Sequence, residues 1–280
     1  MPRGADVDLA ADALWRAGAA AIEERQTPTG LLLVAGAGPG ADIGPLLAAV
    51  RDRWPAEVMA VDVDGALDAW RAFARPVTVG RRLRVRPPWV PAGRRAALVE
   101  VLIDPGRAFG SGAHASTRLA LGAIERLVGG GERVLDAGCG SGVLGVAALA
   151  LGAAEAVGVD RDPNAIPASR ANAASNGLAD RLTVTGRPLG DVVAAGRPFD
   201  LVAANLLLPD LLAVVPALGA ALAAGGTLVV SGILADQRPP VMEAAARLGL
   251  VPLGEETADG WLAVTFAGHA DSRERAHPAS

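Results

Sequence analysis

Apolar and polar positions along the chain fall into two periodicities that alternate. Residues 6–25 repeat apolar positions at helical spacing and predict an amphipathic helix, followed by a turn at Thr27-Pro28-Thr29-Gly30. The apolar run 31–35 predicts a strand, residues 41–54 a helix with Asp42 as N-cap, and residues 57–63 another strand. Together these make residues 1–66 a small α/β unit of open-faced-sandwich type. In residues 67–98, Arg81, Arg82, Arg84 and Arg86 interleave with Leu83 and Val85 before Pro87, Pro88, Trp89 and Pro91. Period two predicts a strand with one solvated face, set in a linker between domains.

From residue 99 onward the pattern becomes regular. Strands are expected at 99–103, 133–137, 156–160, 182–185, 200–204 and 227–231, and a final hairpin at 250–254 and 261–266. Helices are expected at 116–127, 142–151, 208–223 and 235–248, with one more opened by Asp162-Pro163 and ending near Asn176-Gly177. This alternation predicts an α/β fold: a doubly wound, Rossmann-like, mostly parallel sheet with helices on both faces, spanning residues 99–267. Residues 268–280 are polar and aperiodic, as in a disordered tail.

Composition narrows the function classes. With 51% hydrophobic and 20% charged residues in 280, the chain can bury a sizeable core. A net charge of −4 argues against general coating of nucleic acid, so the arginine run reads as a solvated face. Every basic residue is Arg, with no Lys and no Tyr, which we read as genomic bias. One cysteine, Cys139, excludes a disulfide framework, and with three histidines no metal centre is expected. The longest apolar region, 201–230, is broken by Asn205, Pro209, Asp210, Pro216, Gly225 and Gly226, so no membrane span is expected. No signal pattern opens the chain, and a cytoplasmic location is expected.

Three segments carry candidate chemistry. In Val134–Gly142 an apolar strand delivers Asp136 and then Gly138, Gly140 and Gly142 at the mouth of a helix. Such a loop at the carboxyl edge of a parallel sheet suits a nucleotide-like ligand. Twenty residues past Gly140, Asp160 ends the next strand, where a carboxylate can accept hydrogen bonds from ribose hydroxyls. Gly140, Gly142 and Gly145 also spell the dinucleotide fingerprint, which would make the protein an NAD-dependent oxidoreductase. Asp136, ahead of the first glycine, favours S-adenosylmethionine instead, whose ammonium and sulfonium need acceptors rather than a pyrophosphate cradle. A glycine turn arising from composition is the bland alternative. The second segment places Asn205 at the end of an apolar strand, either to hold a substrate amine or to make a turn. The third, Asp104–Thr117, is a long glycine-rich loop holding Phe109, Gly110 and His114. In it Thr117 is open to reading as a helix cap and His114 as a satisfied surface group.

Together these segments resemble PrmA, the methyltransferase family of large-subunit ribosomal protein eleven. The matching stretches are Asp104–Thr117, Asp136–Gly142, Gly158–Ala165, Ala204–Leu207 and Ser231–Leu234, with echoes at Trp70, Pro76, Gly80 and Trp89. The likeness spans about residues 68–267, and Ser111, Ala113 and Ser116 depart from its usual pattern. It implies a class I fold, S-adenosylmethionine as methyl donor, and Thr117, Gly138, Asp160 and Asn205 as donor-binding residues. Phe109 and Gly110 would line the site, and Asp136 and Gly140 join them from the reading of the loop. The expected acceptors are lysine side chains and the N-terminal amine of the ribosomal protein, selected by the N-terminal domain. Another protein or a small amine is the alternative acceptor. Asn205 would orient a neutral amine for in-line attack, and no general base is evident.

Overall fold

The computed structural model describes residues 5–19, 21–27, 30–37, 41–59, 74–92, 98–106 and 108–268. Two compact units divide the chain, Met1–Val63 and Asp64–Ser280. In the first, α1 (Ala5–Arg16) is followed by β1 (Ala21–Thr27), β2 (Gly30–Gly36) and α2 (Gly44–Val50). The expected helix 6–25 is therefore split. Gly18 takes a φ of +93°, Ala19 N–H reaches back to the Leu14 carbonyl, and the helix closes there. Residues 21–27 instead pair antiparallel with 30–36, a partnership across the turn that helical periodicity does not register. Asp42 accepts a hydrogen bond from Gly44 N–H at 2.9 Å, but the cap position of α2 is Ile43 and not Asp42, because the helix starts one residue later than expected for an Asp42 cap. Leu14, Ala19, Leu46 and Val50 form a small core. Residues 57–59 form no strand, and the rest of the strand expected there lies outside the described residues.

Among the described residues, the first elements of the second unit are β3 (Val77–Val79), β4 (Leu83–Arg86) and β5 (Val99–Leu102). β3 and β4 pair antiparallel, while β4 and β5 run parallel. Residues 77–86, read above as linker, are thus folded into this unit: Val79, Leu83 and Val85 belong to its core. The alternation itself holds, because Leu83 and Val85 face inward while Arg84 and Arg86 face Glu100 at 3.6 and 3.0 Å. Buried Glu125 accepts from the backbone N–H of Arg81 and Arg82 at 3.2 and 2.9 Å and fastens the β3–β4 turn. Trp70 and the residues from 269 onward lie outside the described residues.

Next come α3 (Ala115–Leu127), β6 (Arg133–Ala137), α4 (Val143–Leu151), β7 (Glu155–Val159), α5 (Ala165–Ser175) and β8 (Leu182–Thr185). They are followed by α6 (Leu189–Ala195), β9 (Phe199–Asn205), α7 (Leu208–Ala221), β10 (Leu222–Leu234), α8 (Arg238–Arg247), β11 (Val251–Ala258) and β12 (Trp261–Ala267). The short α6 has no counterpart in the sequence reading. Seven strands form one sheet in the order β11-β12-β10-β9-β6-β7-β8. β8, β7, β6, β9 and β10 run parallel, and the β11–β12 hairpin is antiparallel. One face packs on a core with Leu121, Ile124, Val146 and Leu149; the other packs on Leu211, Val215, Leu218 and Val241. This is the mixed α/β, Rossmann-like architecture expected, with helices covering both faces of a parallel-rich sheet.

Chain order places the site. From β6 the strands step outward to β7 and β8, then the chain returns to the other side of β6 as β9. Connections therefore leave β6 and β9 toward opposite faces, and a crevice opens between their carboxyl ends. The paired residues Ala137 and Ala204 stand at that point, followed directly by Gly138 and Asn205.

Candidate functional site

Beyond β6, Gly138, Gly140 and Gly142 have φ of +72°, +53° and +78°. Glycine is required at Gly140 twice over, because an added Cβ would also lie 2.4 Å from the Phe109 carbonyl oxygen. Every N–H of this turn is used inside the protein. Gly138 and Cys139 donate to the Val159 carbonyl at 2.8 and 3.1 Å, Ser141 to the Phe109 carbonyl at 2.8 Å, and Gly142 to the Cys139 carbonyl at 2.7 Å. Gly140 N–H donates to the Asp160 carboxylate at 2.8 Å, and Asp162 N–H meets its other oxygen at 2.9 Å. A dinucleotide fingerprint works by offering such amides to phosphate oxygens. Here the central one already faces a carboxylate.

Asp136 lies beneath the turn and is buried, so it does not open onto the crevice as a free surface acid. One oxygen accepts from Gly145 N–H at 2.9 Å in the first turn of α4; the other, Oδ1, has no partner. Burial pushes the carboxyl up to about 7, the Gly145 bond opposes this, and the charge of Asp160 adds to it. Burial likewise pushes the Cys139 thiol well up.

On the other side of the crevice, Asn205 donates through Nδ2 to the Thr117 hydroxyl at 3.1 Å. Its Oδ1 is buried and has no partner. Thr117 is therefore a partner of the strand-end amide rather than the cap of α3. The cap is His114, whose Nδ1 lies 3.3 Å from Ser116 N and 2.9 Å from the Ser116 hydroxyl. A backbone N–H can only donate, so Nδ1 accepts and the ring proton sits on Nε2. Ser231, opposite Asn205 on β10, donates to the Ser116 carbonyl at 3.0 Å.

The loop between β5 and α3 joins the two sides. Ser141 hydroxyl donates to the Gly110 carbonyl at 2.6 Å, so Phe109 and Gly110 touch the glycine turn through their backbone. The Phe109 ring turns elsewhere, edge-on to His114. Asn172 on α5 and Asn176, the residue that caps its carboxyl end, hold the loop's start. Asn172 bonds both backbone groups of Asp104 at 2.9 Å and the Ser141 carbonyl at 2.9 Å; Asn176 bonds both backbone groups of Leu102 at 2.8 and 2.7 Å. Ser169 Oγ meets the Gly140 carbonyl at 2.8 Å. The sequence reading missed Ser141, Ser169, Asn172 and Asn176. A period-four pair of amides on a polar-poor helix was the one available signal. The structure thus joins Thr117 to Asn205, and Gly140 to Asp160 and Phe109, while Asp136 stays one layer below.

The sequence model of the family described as ribosomal protein L11 methyltransferase (PrmA) matches residues 55–268. The chain belongs to that family. A ribosomal protein L11 methyltransferase of Symbiobacterium thermophilum is 41% identical over 210 residues, 75% of this chain and 68% of that one. One from Chromohalobacter salexigens is 41% identical over 234 residues, 80% of this chain and 77% of that one. Among solved structures, a ribosomal protein L11 methylase from Lactobacillus delbrueckii subsp. bulgaricus superposes with a TM-score of 0.62 at 28% identity. It covers 69% of this chain and 97% of its own. The resemblance to PrmA drawn from the motifs is therefore confirmed. Among the described residues, no helix is long and apolar enough to cross a membrane, and no cluster of His, Cys, Asp or Glu could hold a metal ion.

Proposed function

We propose that this protein transfers methyl groups from S-adenosylmethionine to amino groups of ribosomal protein L11, at lysine side chains and the N-terminal amine. The observation that carries the donor is the Gly140–Asp160 contact: the turn offers carboxylate where a dinucleotide would need free N–H groups. The donor set also fits. Asp136 Oδ1 and Asn205 Oδ1 are buried oxygens without partners, beside strands that end together at the crevice. Both are acceptors, suited to an ammonium and to an N–H.

S-adenosylmethionine, when bound, supplies a methyl group on an electron-poor sulfonium. Asp160, its oxygens ordered by two backbone N–H groups, still has lone pairs for ribose hydroxyls. Asp136, one layer below the turn, would be drawn to the ionised form by a donor ammonium placed near its unpartnered oxygen. Asn205 cannot rotate freely, because Thr117 fixes its NH2 end, so its Oδ1 is aimed to accept from the attacking amine. That orientation is the chain's main contribution to rate. A lysine amine, with a reference pKa of about 10.4, must lose its proton before attack, which the partly desolvated crevice favours. We assign selection of the ribosomal protein to the first unit.

The test incubates purified protein with labelled donor and ribosomal protein L11, alone and within a lysate, followed by mass spectrometry of labelled products. Label on L11 amines is the expected result. Label on other proteins or small amines only would replace the acceptor, and NAD binding without donor binding would overturn the reading altogether.

A further inference from the structure

Three rings stand in sequence at the start of α3, the turn that also holds Thr117, and no step of the proposed transfer uses them. Phe109 and His114 have centroids 5.7 Å apart with planes at 67°; His114 and Trp261 are 4.7 Å apart at 73°. Neighbouring rings thus meet nearly at right angles, as walls of a corner. His114 caps α3 three residues before Thr117, whose hydroxyl accepts from the Asn205 amide, so the rings and Asn205 are tied to the same first turn of α3. Trp261 approaches from the other flank. It opens β12 opposite Leu234 on β10, three residues beyond Ser231, the partner of Asn205. Around this corner the chain leaves large apolar groups uncovered: Phe109 is 60% exposed, Leu207 62% and Leu234 39%.

We propose that Phe109, His114 and Trp261 form a subsite for the alkylated ammonium of a partly methylated acceptor, and so set how many methyl groups are added. This rests on the amine-methyltransferase reading above. In each transfer the nitrogen lone pair forms an N–C bond while the S–C bond breaks, its electron pair staying on sulfur as a neutral thioether. The nitrogen is left cationic and must release a proton to water before it can attack again. After each cycle it also has one N–H fewer for Asn205 Oδ1 and one more methyl group carrying part of the positive charge. Amide recognition therefore weakens as methylation proceeds. Ring faces act in the opposite direction, since they attract the positive charge that develops on an alkylated nitrogen as it attacks. His114 suits this corner because its Nδ1 is engaged by the first turn of α3, which fixes the orientation of the ring. Leu207 and Leu234 offer apolar surface for the stem of a long amine side chain.

Two measurements on the full chain test the proposal. In the first, wild-type, Trp261→Ala and Trp261→Phe proteins act on unmethylated L11, and the products are followed over time. With Trp261→Ala, monomethyl product should accumulate and the ratio of later to first transfers should fall about tenfold, the factor that 1.4 kcal/mol represents. The first transfer should change by less than about threefold, and Trp261→Phe should restore the later steps. An unchanged product distribution, or equal loss at every step, would overturn the proposal. The second needs no turnover. The indole N–H resonance of Trp261, identified by its loss in Trp261→Phe, is followed during addition of Nε-trimethyl-lysine or lysine at equal millimolar concentrations. A shift with trimethyl-lysine alone is expected; equal shifts with both, or none, would overturn the subsite. This second measurement stands even if L11 receives no methyl group, an outcome that would count against the proposed acceptor instead.

Discussion

On the β6–β7 side of the crevice, the two acids are held by backbone groups of the same strand–turn–helix neighbourhood; on the β9 side the polar side chains are held by groups from far along the chain. Asp136 meets Gly145 N–H nine residues on, and Asp160 meets Asp162 N–H two residues on and Gly140 N–H twenty residues back. Asn205, by contrast, depends on Thr117 across 88 residues, and Ser231 on the Ser116 carbonyl across 115. The first arrangement follows from how strand, turn and helix succeed one another. The second exists only after the whole sheet is assembled. Local construction forms the glycine turn and its two acids, and long-range construction sets the amide across the crevice from them.

That contrast breaks most sharply at Asn205. If its unpartnered oxygen receives the acceptor amine as proposed, Asn205→Ala should lower kcat by about a hundredfold or more while donor affinity changes little. Equal loss of donor binding, measured by calorimetry, would place Asn205 on the other side of the comparison. Asp160→Ala should do the reverse. Losing charge-assisted bonds should weaken donor binding by about 2 kcal/mol, roughly thirtyfold, with a smaller effect on kcat once donor saturates.

Asn172→Ala probes the joint between the halves. It strands both backbone groups of Asp104 and the Ser141 carbonyl, and should reduce stability by about 1–3 kcal/mol in denaturant unfolding. Amide exchange should rise in residues 104–112 more than in β6 or β7.

The smallest expected effect concerns pH. Burial lifts Asp136 to about 7, above its unfolded value near 4, so the folded chain keeps this proton longer as pH rises. Its contribution to stability is complete below about pH 4 and is lost as pH climbs through about 7. Asp136→Asn should remove that part of the decline in a series of melting curves. A cationic donor favours the ionised carboxyl, so donor affinity should rise between pH 6 and 8 in the wild type and lose that rise in the variant. An identical slope in both proteins would show that Asp136 does not face the donor.

Legibility from sequence follows the same division. Asp136, Gly138, Gly140 and Asp160 could be read because each sits at a fixed offset within one strand–turn–helix repeat. Asn205 was legible as a strand-end amide, but its bond to Thr117 was not, since nothing local links the two. The same limit explains β1: residues 21–27 have helical spacing, and only their partner across the turn makes them a strand. It also explains residues 77–86, where the proline-rich stretch after β4 suggested a linker while the parallel partner, β5, lay beyond it.

The amide ladder of α5 has a consequence for how the molecule comes into being. Leu102 and Asp104 take their partners from Asn176 and Asn172, 74 and 68 residues later in the chain. At about 5–20 residues per second, a ribosome needs roughly 3–15 seconds to make that intervening stretch. Until then the start of the loop bearing Phe109 and His114 lacks the two side chains that clasp its backbone at Leu102 and Asp104. The wall proposed to count methyl groups is thus shaped late in synthesis, after the strand and turn that precede Asn172 have already emerged.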